Sequence, residues 1–109
     1  MILKKYLRTF GFDVHEAGNG LEALGALREL GDVDVTLVDW NMPGMNGLEF
    51  VRSVRAMPER ADLRIMMVTS ETDVERMLLA LEAGADEYVM KPFTQEIIED
   101  KLSLLGFAA

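Results

Sequence analysis

Cysteine is absent from this sequence of 109 residues, and histidine occurs once, at His15. Without cysteine the chain cannot form a disulfide scaffold, a zinc ribbon or a catalytic thiolate. A single histidine provides no histidine cluster for a transition metal. No apolar run approaches the roughly 18 residues that span a membrane, and the first residues lack the apolar core of a signal peptide. We therefore expect a cytoplasmic protein that works without thiol or zinc chemistry.

Positive charge is also scarce, because 11 Lys and Arg residues face 19 Asp and Glu residues, for a net charge of -8. The most acidic stretch is 71–100, where nine acidic residues face only Arg76 and Lys91. Such a surface repels a nucleic-acid backbone, so direct nucleic-acid binding is not expected. Solvated helix faces explain this acidity most simply, and a docking site for a basic partner is the alternative.

Apolar residues alternate along the chain between helical spacing and short continuous runs. Helical spacing predicts five helices, over residues 3–10, 19–30, 48–57, 72–83 and 94–105. Continuous or alternating runs predict four strands, over residues 12–16, 34–39, 65–69 and 86–90. Helices that alternate with apolar strands indicate one α/β domain over residues 1–109, with a doubly wound parallel sheet and helices on both faces.

Polar residues lie at the ends of the predicted strands, since Glu16, Asp39 and Thr69 are the last residues of three strands and Lys91 directly follows the fourth. In open parallel sheets the ligand site lies beyond the carboxyl ends of the strands. Asp39 is a candidate carboxylate nucleophile, Thr69 a hydroxyl donor, and Lys91 a cation able to neutralise charge on a phosphoryl group. Each has a plainer explanation, since Asp often caps a turn, Thr favours strands and Lys faces solvent. Their combination in this order favours phosphoryl transfer.

Three segments resemble the receiver domains of response regulators. Residues 38–47 (VDWNMPGMNG) resemble the phosphoacceptor segment, 68–71 (VTSE) the strand end with the switch hydroxyl, and 87–93 (EYVMKPF) the end of the fifth strand. The resemblance covers all 109 residues and is strongest to stand-alone, chemotaxis-type receivers. It implies a flavodoxin-like sheet with strand order 2-1-3-4-5.

The resemblance implies a site for two-component signalling. Asp39 would accept a phosphoryl group from a histidine kinase or its phosphotransfer domain, as a phosphoacceptor rather than an enzyme. Mg²⁺ would be the cofactor, held by Asp39 and the backbone carbonyl of Asn41. Thr69 would bond a phosphoryl oxygen, and Lys91 would contact the phosphate. The peptide bond between Lys91 and Pro92 would be cis.

The resemblance also implies a switch and an output surface. As Thr69 moves toward the phosphoryl group, Tyr88 would turn inward. Trp40, beside the nucleophile, would face solvent as a reporter of the site. A downstream protein target would dock on the face formed by residues 72–105. Because that face is acidic, we expect a basic partner whose binding weakens with salt.

The sequence departs from the family at its start. Receivers begin with a strand that ends in a pair of Mg²⁺-binding acids, whereas this sequence begins inside the first helix. Without that pair we expect weak Mg²⁺ binding and little labelling by small phosphodonors. The absent strand is interior in the family order, so the strands at 12–16 and 34–39 would expose backbone edges. Exposed edges recruit other chains, which favours a homodimer through the N-terminal region.

Three functions remain open from the sequence alone. The first is a phosphoacceptor receiver, and the second is a degenerate receiver that binds partners without phosphorylation. The third is a flavodoxin-like enzyme or cofactor-binding domain, which is disfavoured because no glycine-rich phosphate loop follows a strand. Phosphoryl uptake distinguishes the first two, and flavin absorbance would support the third.

Overall fold

The computed structural model describes residues 2–40, 44–69 and 74–108. Over these ranges the helices are α1 (Ile2–Phe10), α2 (Gly20–Glu29), α3 (Gly47–Arg55), α4 (Val74–Ala83) and α5 (Gln95–Leu104). The strands are β1 (Val35–Asp39), β2 (Arg64–Thr69) and β3 (Glu87–Met90), and a 3₁₀ turn spans Pro58–Arg60. None of the helices in these ranges is long and apolar enough to cross a membrane.

The three strands form a parallel sheet in the order β1-β2-β3. The central strand, β2, is buried on both faces, as its continuous apolar sequence predicts. Side chains alternate between the faces of a strand. Ile65 and Met67 therefore join the core on one face, while Met66 and Val68 join the core on the other.

Helices cover both faces of this sheet. One core contains Leu24 and Leu27 of α2 with Phe50 and Val54 of α3, packed against β1 and β2. The other core contains Phe10 of α1 together with residues of α5 that are fully buried, Ile98 and Leu102. The predicted doubly wound α/β fold with five helices is therefore confirmed.

Side-chain caps fix where three of the helices begin. The side chain of Asn19 accepts a hydrogen bond from the Glu22 N–H at 2.8 Å, ahead of α2. Asn46 and Glu49 form a reciprocal capping box at the start of α3. Thr94 accepts from the backbone of α5 in the same way. These caps agree with the predicted helix starts to within a residue or two.

The predicted strand over residues 12–16 does not form, and that prediction is wrong. Phe12 and the residues up to Ala17 follow α1 without regular secondary structure. The ring of Phe12 stacks on that of Phe10, with centroids 5.7 Å apart. A strand requires a neighbour to complete its hydrogen-bond ladder. In the described part of the chain β1 pairs only with β2, so this segment has no ladder to join.

Asp86 ties the beginnings of β2 and β3 to the end of α3. Its carboxylate lies 2.9 Å from the Arg55 guanidinium and accepts the Ile65 N–H at 2.8 Å. The Asp86 N–H in turn donates to the Ile65 carbonyl at 2.8 Å. Arg55 also donates to the carbonyl of Gly84 at 2.9 Å. One carboxylate thereby links the beginnings of two strands to the end of a helix. This link lies at the edge of the sheet opposite the predicted site.

Candidate functional site

Three polar residues predicted from the sequence lie at one edge of the sheet. Asp39 is the last residue of β1, Thr69 is the last residue of β2, and Lys91 directly follows β3. The parallel register places Asp39 opposite Val68 and Thr69 opposite Met90. The Lys91 N–H donates to the Thr69 carbonyl at 2.7 Å. Strand pairing itself therefore brings these three positions together.

The side chains of Asp39 and Lys91 are in direct contact. The Lys91 ammonium lies 2.7 Å from a carboxylate oxygen of Asp39, and the two side chains are 41% and 43% exposed, respectively. Ion pairs with this exposure add only about 0–1 kcal/mol to stability. Stability therefore does not account for this pair. Its significance is that it holds a cation beside an accessible carboxylate, an arrangement that suits a reaction of that carboxylate. The Lys91–Pro92 peptide bond is cis.

Thr69 and Tyr88 face the same small cavity, between the sheet and α4. Thr69 is 4% exposed, the one buried polar residue of the described core. Tyr88 is half-buried, and the Lys101 ammonium lies 4.9 Å from the centroid of its ring. Lys101 also pairs with Glu87 at 3.0 Å. The structure thus brings the two residues of the predicted switch to one cavity, with Tyr88 half-buried.

Gly47, which the sequence reasoning did not single out, packs against the backbone of the site. A Cβ atom at Gly47 would lie 2.9 Å from the Cα of Trp40 and 3.2 Å from the carbonyl oxygen of Asp39. The Gly47 N–H donates to the Trp40 carbonyl at 2.9 Å. Only glycine allows α3 to begin this close to the end of β1. The preceding Asn46, a strong helix-capping residue, was the available signal.

Trp40 is half-buried, so only part of this residue is open to solvent, and its predicted role as a reporter stays a prediction. Its indole packs against the core shared by α2, α3 and α4. The guanidinium carbon of Arg76, on α4, lies 5.7 Å from the centroid of the indole. The sequence reasoning did not place Arg76 near the site, although Arg76 is the one basic residue between Arg64 and Lys91.

The described residues do not fit a Mg²⁺ ion. Mg²⁺ prefers near-octahedral oxygen ligation with carboxylate help, and the described ranges contain no group of three or more histidine, aspartate or glutamate residues placed to hold a metal. Asp39 brings one carboxylate, which Lys91 already engages. Glu16 is exposed in the irregular segment after α1. Asn41, the expected carbonyl ligand, lies outside the described residues.

The alternation of helices with a parallel sheet, and an Asp, a Thr and a Lys at adjacent strand ends, define a class of signalling domain. The family model for the response regulator receiver domain matches residues 1–103. The chain belongs to this family, whose members are phosphoacceptors of two-component signalling rather than conventional enzymes. Its flavodoxin-like fold is confirmed by solved receiver structures.

The particular relatives are chemotaxis proteins. A chemotaxis protein CheY homolog of Campylobacter jejuni is 45% identical over 102 residues, which cover 93% of this chain and 78% of that protein. Chemotaxis protein CheY-3 of Vibrio cholerae is 41% identical with the same coverage. Among solved structures, Vibrio cholerae CheY4 has a TM-score of 0.88 and 33% identity, covering 95% of this chain and 86% of that one. A putative response regulator from Chloroflexus aurantiacus has a TM-score of 0.89 and 30% identity, covering 95% and 84%.

Proposed function

We propose that Asp39 accepts a phosphoryl group from a phosphohistidine on a kinase or its phosphotransfer domain, in the cytoplasm. The observation that supports this most strongly is the Lys91 ammonium 2.7 Å from the Asp39 carboxylate. A phosphoacceptor needs a nucleophile that a donor can reach and a cation that neutralises charge on the transferred group. The exposure of the Asp39 side chain meets the first need, and Lys91 meets the second.

In the proposed reaction an Asp39 carboxylate oxygen attacks phosphorus. The P–O bond to Asp39 forms while the P–N bond to the donor histidine breaks, and the histidine keeps that electron pair. Phosphoryl transfer depends mainly on positioning and electrostatic stabilisation. Lys91 moves from the carboxylate to the phosphoryl oxygens, which occupy the same region. Thr69, at the neighbouring strand end, donates a hydrogen bond to a phosphoryl oxygen.

The output step is proposed to follow from the cavity that Thr69 and Tyr88 share. Movement of Thr69 toward the phosphoryl group opens room into which the Tyr88 ring turns. This reshapes the described part of the predicted output face, residues 74–105, where Leu78 and Ile97 are 53% and 40% exposed; residues 72 and 73 of that prediction lie outside the described residues. A target that suits this face offers apolar side chains within a basic rim, so its affinity falls as salt rises.

A phosphorylation-independent interaction module is the second candidate. Leu78 and Ile97 are already exposed in the unmodified chain, which favours binding without a switch. One measurement distinguishes the two candidates: the affinity of the downstream target for the chain before and after phosphorylation of Asp39. Equal affinities for unlabelled protein, labelled protein and Asp39→Asn support the second candidate.

A homodimer through the N-terminal region is part of the proposal. In the described residues β1 has one ladder, to β2, so its other edge offers backbone groups to a second chain. Light scattering at micromolar concentration tests this directly. We expect a mass near twice that of the chain, and a stable monomer contradicts the dimer.

The phosphoacceptor proposal is tested with a histidine phosphotransfer domain that has been phosphorylated with phosphoramidate. Intact mass should show one added phosphoryl group on the wild-type chain and none on Asp39→Asn. Lys91→Met should slow transfer about a hundredfold, by analogy with the loss of one charge-stabilising donor. The matched control is Lys5→Met, at an exposed lysine on α1. Labelling of Asp39→Asn, or equal rates for the two lysine variants, contradicts the proposal.

A further inference from the structure

The side chain of Lys101, on α5, contacts two consecutive residues of β3. Its ammonium lies 3.0 Å from a carboxylate oxygen of Glu87 and 4.9 Å from the centroid of the Tyr88 ring. Consecutive side chains of a strand point to opposite faces of the sheet. Because β3 is the last strand of the described sheet, one of its edges carries no ladder. One ammonium can therefore contact both side chains only around this open edge.

Glu87 anchors the ammonium at this edge of the sheet. The Glu87 oxygen that pairs with Lys101 also accepts the Tyr88 N–H at 3.0 Å. The Lys101 and Glu87 side chains are 26% and 18% exposed, respectively. Salt screens a pair that is buried to this extent less than it screens a fully exposed pair. The carboxylate therefore holds both the cation and the backbone of the tyrosine.

The surroundings of the Tyr88 ring restrict where the ring can move. The residue packs against the core that contains Met67 and Ala80, and it lines a cavity together with Thr69. The cavity has a volume of about 10 Å³, which suits a single water molecule and is too small for a phenol ring. Unless Thr69 or another neighbour moves, the ring can leave its half-buried position only toward solvent.

The Lys101 ammonium opposes this outward movement of the ring. It lies over the ring, within the roughly 6 Å range of a cation–π interaction. Lys101 does not line the cavity, so it contacts the ring from outside the cavity. The ring is thus held between the packing at the cavity and a cation that Glu87 keeps in place.

We infer that Lys101 is a positioning residue for Tyr88, because its ammonium, anchored by Glu87, holds the ring half-buried at the cavity that Tyr88 shares with Thr69. The inference rests on the proposed switch and deepens it, since Lys101 sets the position from which the ring turns when Asp39 is phosphorylated. Lys101 acts through the ring and takes no part in phosphoryl transfer. Removal of the ammonium should therefore increase the exposure of the ring in the unphosphorylated chain.

Fluorine NMR of the chain labelled with fluorotyrosine measures this exposure. The chain contains two tyrosines, so Tyr6→Phe assigns the two signals. The shift of each signal between light and heavy water rises with the exposure of its ring. Lys101→Met keeps an unbranched side chain and removes the charge, whereas Lys101→Arg keeps a cation that can pair with Glu87 and lie over the ring. The matched control is Lys5→Met, at an exposed lysine of α1.

The expected result is a selective change at Tyr88. The ratio of solvent-facing to half-buried ring should rise about two- to fivefold in Lys101→Met, the factor that corresponds to a partly exposed cation–π contact. The Tyr6 signal should not change, and Lys101→Arg and Lys5→Met should match the wild-type chain.

Glu87→Gln tests the anchoring step. Its amide oxygen can still accept the Tyr88 N–H, but it does not hold the ammonium by charge. Glu87→Gln alone should therefore raise the exposure of Tyr88 less than Lys101→Met does. In the Lys101→Met background it should add nothing, because the effect of Glu87 on the ring passes through Lys101.

Each outcome decides a separate point. Unchanged exposure of Tyr88 in Lys101→Met overturns the inference, and so does an equal change of the Tyr6 signal, which would indicate a general loosening of the fold. Additive effects of Glu87→Gln and Lys101→Met overturn the anchoring by Glu87. The proposed switch is tested separately, on the wild-type chain phosphorylated by a phosphohistidine domain. A Tyr88 signal that does not respond to phosphorylation refutes the switch, while the exposure measured before phosphorylation still decides whether Lys101 positions the ring.

Discussion

Replacing Gly47 by alanine tests the close approach of α3 to the phosphoacceptor strand. The added Cβ would lie 2.7 Å from the Met67 methyl, 2.9 Å from the Cα of Trp40 and 3.2 Å from the Asp39 carbonyl oxygen. The end of the Met67 side chain can rotate away. The Trp40 backbone cannot do so without loss, because its N–H bonds to Val68 in the sheet. The substitution should therefore displace the backbone that carries Asp39.

The magnitude follows from comparison with Gly25→Ala. A Cβ at Gly25, inside α2, meets nothing within 4 Å. That substitution should stabilise the protein by about 0.4–1 kcal/mol through backbone entropy and helix propensity. Gly47→Ala has a comparable gain but adds overpacking, which costs about 1–3 kcal/mol. We therefore expect Gly47→Ala to be less stable than Gly25→Ala by about 1–3 kcal/mol.

Urea unfolding, followed by circular dichroism and by Trp40 fluorescence, measures this difference. Thermal unfolding should separate the two variants by about 4–8 °C for each kcal/mol in a domain of this size. Gly47→Ala should also accept a phosphoryl group at Asp39 more slowly than Gly25→Ala. If the two alanine variants are equally stable and equally reactive, the close approach of α3 does not constrain the site, and the reasoning is refuted.

Two further predictions concern the fold and the cofactor. Asp86→Ala should destabilise the protein by about 2–4 kcal/mol in urea unfolding, because the partly buried Arg55 and a strand N–H lose their carboxylate. The exposed Glu82→Ala control should change stability by less than about 0.5 kcal/mol, and equal losses would contradict the role of Asp86. Mg²⁺ should bind with a dissociation constant of about 1 mM or weaker, near -4 kcal/mol, because the one described carboxylate of the site, on Asp39, already pairs with an ammonium. A Trp40 fluorescence titration that gives micromolar affinity would show that the ligand set is larger than proposed.

Local signals predicted the helices well. Asn19 and Asn46 begin helices in the structure because their side chains accept backbone N–H groups there. The strand β2 was predicted equally well, because a strand covered on both faces has an unbroken apolar sequence. The strand predicted at 12–16 failed because strand formation depends on a partner elsewhere in the chain. Alternating Phe12 and Val14 satisfy the local pattern but carry no information on pairing.

The same distinction between local patterns and long-range contacts applies to the residues of the site. Asp39, Thr69 and Lys91 could be found because each ends or directly follows a predicted strand, and parallel pairing brings such ends together. Gly47 and Arg76 could not, because their importance lies in contacts with Trp40 that link separate elements. Glycine at a helix start and arginine on a helix both have ordinary local explanations. Only the packing of α3 and α4 on the end of β1 gives them a role.

The most direct test of the account is to identify the phosphorylated residue chemically. After transfer from a phosphohistidine protein, borohydride reduction converts an aspartyl phosphate to homoserine, which peptide mass spectrometry locates. We predict homoserine at position 39 and at no other aspartate, with none formed in Asp39→Asn. Homoserine at a different aspartate, or a label stable to borohydride in the Asp39→Asn variant, would contradict the assignment of Asp39 as the phosphoacceptor.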